Sequence, residues 1–225
     1  MLLSFSLVSS HAAGTIGLVD GTLPADVDMT QLTTAVLAEL ASWIAVPIYA
    51  WLLVQGYQHT RHAALYLGRL LALALICEVP YDLVTSGNAV DWNSQNPVFA
   101  LVITLFALML INAFRDKAAL VRRSITLLVV VAGALWMLLG SIYSREGIPV
   151  GMLLLLSAVI LQLFSRHENV MVMSVAGISS LFLVLPAFGA AVLHYRNGTL
   201  GYNQPWVQWV FYALYPVALL VFVFI

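Results

Sequence analysis

The chain has 225 residues, 62% of them hydrophobic and only 8% charged, with a mean hydropathy of +0.98. A soluble domain carries about 25% charged residues, so this composition excludes a water-facing globule and leaves an integral membrane protein. A formal net charge of −1 excludes nucleic acid as a partner, because that would need a clustered basic face.

At about 20 apolar residues per crossing, the sequence predicts about eight membrane helices and no soluble domain. The apolar runs lie at 1–18, 32–57, 63–86, 97–114, 120–142, 148–165, 169–194 and 206–225. Lipid offers no partners to backbone N–H and C=O groups, so these runs must be helical. The expected fold is therefore all-α: one polytopic transmembrane helical bundle, read as a single domain over 1–225.

The first run, MLLSFSLVSSHAAGTIGL, has small residues that loosely match a signal-peptide cleavage site. It has no Lys or Arg before its apolar stretch, which favours a retained helix carrying His11. The second run contains Glu39 and ends in LLVQGYQHTRH, with the neutral Gln55 just inside the apolar stretch. His59 and His62 stand three apart, but no third ligand is close in sequence, so they are read as a hydrated loop and no metal is expected.

The third run is the richest in polar groups, and an ionisable side chain inside a membrane helix is a functional hypothesis by default. Tyr66 and Arg69, three apart, lie near its start. Arg69 either binds a phosphate or carboxylate or snorkels to the interface. Glu78 and Asp82 are four apart and share a helix face, with Pro80 freeing a carbonyl nearby. They form either a polar pocket, with Gln55 as a neutral neighbour, or an interfacial Asp82 beside a Glu78 held by another helix. Cys77, the only cysteine, is read as a small buried apolar residue rather than a reactive thiol.

Among the later runs, Ala187 and the stretch Gly189-Ala190-Ala191 would let another helix approach closely. Asn197-Gly198-Thr199 matches a glycosylation pattern but reads better as an Asn-Gly turn. Basic residues set the expected orientation. The connections after the second, fourth and sixth runs hold Arg61, then Arg115, Lys117, Arg122 and Arg123, then Arg166; the alternate connections hold only Arg145 and Arg196. The positive-inside rule places the first set in the cytoplasm, with both termini, if all eight runs cross. Asp20, Asp26 and Asp28, together with Trp92, Tyr202, Trp206 and Trp209, would then lie at the outer face.

The stretch VPIYAWLLVQGYQHTRHAALYLGRLLALALICEVPYDLVTSG, followed by QNPVFAL, resembles the TraX family. HYRNGTLG and VFYALYPVALL near the C-terminal end are similar to that family's last motifs. The resemblance implies a bacterial cell-membrane protein of an acyltransferase group named for N-acetylation of conjugative pilin. For this chain it implies that His59, Arg61, Tyr66 and Arg69 face a cytoplasmic acyl-CoA. His11 would be the residual base. Pro80, Asp82, Gln95, Asn96, Tyr212, Tyr215 and Pro216 also match.

The departures fall on reactive residue types. Ser10 stands where the family pairs an Asp with the following histidine, and Ser42-Trp43 replaces a Gly-Arg. Gln55 replaces a glutamate, Arg145-Glu146 replaces Asp-Tyr, and Ala218 replaces a histidine. Loss of a base or its orienting partner costs about 10²- to 10⁴-fold in rate. The sequence therefore points to a non-catalytic accessory subunit of a larger membrane complex, such as a bacterial respiratory assembly, with other integral membrane subunits and lipids as partners and no cofactor. An acetyl-CoA-dependent acetyltransferase is the alternative, and a small transporter built around Glu78, Pro80 and Asp82 is a third reading.

Overall fold

The computed structural model describes residues 30, 33, 37, 43–91, 96–143, 150–182, 184–194 and 206–223. Every regular element among them is helical: α1 Ala45–His59, α2 Ala63–Ser86, α3 Val98–Ala113, α4 Ala119–Tyr143, α5 Val150–Leu163, α6 Glu168–Phe182, α7 Val184–His194 and α8 Val207–Val223. His11 and the rest of the first run lie outside the described residues, as do residues 92–95, 144–149 and 195–205.

Two described helices are long and apolar enough to cross a bilayer, Ala63–Val84 and Ala119–Leu139, while Val98–Ala113, Val150–Leu163 and Tyr212–Val221 are shorter apolar helices. The expected limits of the third run match α2 because a Gly, not a charge, ends it. Gly87 takes a φ of +72° and its N–H donates to the Leu83 carbonyl, closing the last turn in the left-handed conformation that glycine adopts without strain. Pro80 and Pro216 lie inside α2 and α8, which continue through them.

The run 169–194 is not one helix. It is divided into α6 and α7, which pack against each other. At 1.5 Å per residue they extend about 22 and 16 Å, and neither reaches across a hydrocarbon layer of about 30 Å. The sequence hides this break because SLFLVLPAFGAAVL is apolar almost throughout and offers no periodicity to read.

The main core joins α1, α3, α5, α6 and α7 through Val46, Ala50, Val54, Leu108, Leu153, Leu155, Ala158, Met171, Val175 and Ala190. In lipid, apolar helices gain little from hydrophobicity alone, so close fit and small side chains decide where they meet. Gly189 illustrates this: a Cβ built there would collide with the carbonyl oxygen of Ile44 and meet Pro47. Gly189 and Ala190 are thus used inside the chain, against α1, rather than kept for another subunit. On α4, by contrast, Leu120, Leu127, Leu128, Leu135 and Trp136 are exposed, as expected of a helix face turned to lipid.

Candidate functional site

The polar groups of α2 divide between its two ends. Toward its C-terminal end, Asp82 is 1% exposed and its Oδ2 accepts a hydrogen bond from the Asp91 backbone N–H at 2.9 Å. This bond folds the segment after Gly87 back over the helix end. One turn earlier, the Glu78 carboxylate lies within electrostatic range of the Asn96 backbone N–H, while its Oε2 is buried without a hydrogen-bond partner.

Asn96 is the hub of this region. Its side chain is buried, and Nδ2 donates to the Ala74 carbonyl on α2 at 3.4 Å. Oδ1 accepts from the Val98 N–H at 3.0 Å, satisfying a donor in the first turn of α3, and from the Tyr215 hydroxyl on α8 at 3.1 Å. One amide therefore ties together three helices. Cys77, Tyr81, Val84 and Leu219 pack as an apolar layer beside it, with Tyr215 partly buried against them.

The other end of α2 holds Tyr66 and Arg69. Tyr66 packs with Leu53, Leu70, Leu105 and Tyr212, and its hydroxyl would lie 2.8 Å from any Cβ placed on Gly56. Glycine at position 56 lets the Tyr66 ring approach α1 this closely, and a larger residue would require Tyr66 to shift. Arg69 is exposed and lies within electrostatic range of Tyr212, which also stands 6.3 Å, centroid to centroid, from Trp209. Arg61 and His62 are exposed, and the His59 ring nitrogen Nδ1 is 2.9 Å from the Gln55 carbonyl oxygen.

Gln55 consequently does not share a pocket with Glu78 and Asp82. Its neighbour Gly56 meets Tyr66, and Glu78 lies twelve residues further along α2, about 18 Å at helical rise. The structure brings Glu78 and Asp82 together with Asn96, and brings Tyr66 and Arg69 together with Tyr212. Asn96, Tyr212 and Tyr215 were visible in sequence only as motif matches. The signal that would have found them is polarity within apolar runs: an Asn beside Pro97, and two tyrosines in FYALYP.

Chemically, the first cluster is an arrangement of carboxylate, amide and hydroxyl groups engaged mainly with backbone. The second offers one exposed guanidinium flanked by two phenols, a combination suited to an anion. Among the described residues no group of three or more His, Cys, Asp or Glu converges as a metal site would require. A shallow open groove of about 390 Å³ on α6, lined by Asn169, Val170, Met173 and Ser174, shares no residue with either cluster.

No curated protein and no solved structure matches the chain. The family model described as TraX protein matches residues 26–225, a span that includes both polar clusters, all eight described helices and the HTRH connection. With that match over most of its length, the chain belongs to the TraX family.

Proposed function

We propose that this TraX-family chain is a non-catalytic integral membrane subunit, a polytopic helical bundle in a bacterial cell membrane that crosses the bilayer repeatedly. It would pack against other integral membrane subunits of a larger assembly, such as a respiratory complex, with lipid covering its exposed helix faces. The observation that carries this reading is Trp43. It stands where the family resemblance expects Gly-Arg and is 3% exposed, packed in the same core as Val46, Ala50, Ala190 and Leu193. An indole fills space that an acyl-transfer site would need for substrate.

The cluster around Asn96 supports the same reading. Asp82 and Asn96 spend hydrogen-bonding capacity on Asp91, Ala74 and Val98, the use expected of a structural fastening. The third reading, a transporter with a discontinuous helix at Pro80, has less support, because α2 runs unbroken from Ala63 to Ser86.

One observation favours the acetyltransferase alternative. Tyr66, Arg69 and Tyr212 leave a cation exposed beside two phenols, a place for a coenzyme phosphate. Purification in a gentle detergent, followed by mass spectrometry and an acetyl-CoA turnover assay, separates the two. Co-purification in fixed ratio with other membrane subunits and no turnover supports the accessory subunit. A lone protein that consumes acetyl-CoA, with turnover lost in Arg69→Ala, overturns it.

A further inference from the structure

α2 and α8 run side by side in the same direction. Tyr212 packs against the cluster that holds Leu70, Tyr215 bonds to Asn96 beside Ala74, and Leu219 packs with Cys77, Tyr81 and Val84, so contacts advance along both helices together. Near the start of the pair, a cation and exposed aromatic rings come together. Arg69, six residues into α2 and about 9 Å along it, is exposed, as are Trp206 and Trp209 at the beginning of α8. Tyr212 lies within electrostatic range of Arg69, and its ring stands 6.3 Å from that of Trp209.

Among the described residues neither an ion pair nor a hydrogen bond holds the Arg69 guanidinium, and Glu78, the next acid on α2, lies about 13 Å further along the helix. Arg61, Arg115, Lys117 and Arg166 stand in connections, where water solvates a cation readily. Arg69 instead shares a helix stripe with Ala72, Ile76 and Val79, all of them exposed. A cation on an apolar stripe in lipid needs a counter-charge at its own depth. Tryptophan and tyrosine rings settle at the headgroup level of a bilayer, so Trp206, Trp209 and Tyr212 put Arg69 at the depth of the lipid phosphates.

We infer that Arg69, Tyr212 and Trp209 form a binding site for one anionic phospholipid, its phosphate held by the guanidinium and flanked by the two rings. A guanidinium presents parallel N–H donors to a phosphate, and basic sites between membrane helices select anionic headgroups. The acyl chains extend from there over the exposed apolar faces of both helices, along Ile76 and Val79 on α2 and Leu214 and Val217 on α8. That surface suits acyl chains and offers nothing polar to a soluble nucleotide. The inference deepens the membrane-subunit reading, on which it rests, by naming a lipid that α2 and α8 hold.

The test titrates the full chain, extracted and delipidated in mild detergent, with dioleoylphosphatidylglycerol, dioleoylphosphatidylcholine or coenzyme A, and reads bound ligand by native mass spectrometry. One phosphatidylglycerol is expected to bind in preference to phosphatidylcholine. Arg69→Gln should weaken it at least about tenfold, the loss of one charge-assisted contact, while Arg115→Gln leaves it unchanged. Should Arg69→Gln fail to fold, Arg69→Lys decides, because it keeps the charge and loses the paired donors: a several-fold weaker affinity is expected, and an unchanged one refutes the site. Equal uptake of the two lipids, equal affinity in Arg69→Gln, or binding of coenzyme A in place of phosphatidylglycerol also refutes it. A chain recovered in the soluble fraction without detergent sinks the membrane reading itself, a result distinct from an extracted chain that takes up no phosphatidylglycerol.

Discussion

At the scale of single residues, Asn96 concentrates more cross-linking than any other side chain described above. Asn96→Ala removes one donor and one acceptor that serve α2, α3 and α8 together. Leaving such groups unpaired costs about 1–3 kcal/mol each, so the expected result is a clearly lowered Tm in detergent. Tyr215→Phe removes one of these bonds and is expected to cost about 1 kcal/mol. Combined with Asn96→Ala it should add little, because both act on the same bond; full additivity in a double-mutant cycle would show that they act separately. The charge pattern of α2 made Glu78 and Asp82 legible, since their four-residue spacing is visible in sequence. Asn96, beside them, was legible only as a motif match, because a buried amide declares its role only through distant groups, here Ala74 and Tyr215.

At the scale of elements, the helices that sequence located well are those ended by a polar or conformational signal: α2 by Gly87, α3 by the polar run from Arg115. The break between α6 and α7 escaped because both sides of it are apolar. Contact between helices depends on small residues, and two glycines give opposite expectations. Gly189→Val drives a branched side chain into the Ile44 carbonyl, a backbone atom that cannot step aside. Overpacking of this kind costs about 1–3 kcal/mol or more, measurable as loss of folded protein in detergent melting. Gly177→Ala on α6 has nothing within 4 Å of its new methyl group. It should be tolerated, or raise stability by up to about 1 kcal/mol through helix propensity.

At the scale of the whole molecule, the composition points to a membrane protein and the match over residues 26–225 shows its family, while the division of the run 169–194 into two helices became visible only in the structure. Positive-inside counting assumed that each apolar run crosses once, and the α6–α7 pair does not fit that assumption. The exposed apolar face of α4 gives a further check. Leu128 is 67% exposed near the middle of that helix. If lipid covers it, Leu128→Lys should cost about 2.5–3.5 kcal/mol of insertion and reduce the protein recovered in the membrane fraction. If a partner subunit covers it, the same substitution should instead leave insertion intact and abolish co-purification.

The bond between Tyr215 and Asn96 joins residues 119 positions apart. At a synthesis rate of about 5–20 residues per second, a ribosome needs on the order of ten seconds to get from one to the other. Throughout that interval α2 has been made, with Glu78 and Asp82 aboard, but the hydroxyl that closes their corner has not. The nascent chain therefore passes through a stage in which this corner lacks its last hydrogen bond, and the corner closes only once α8 has been made.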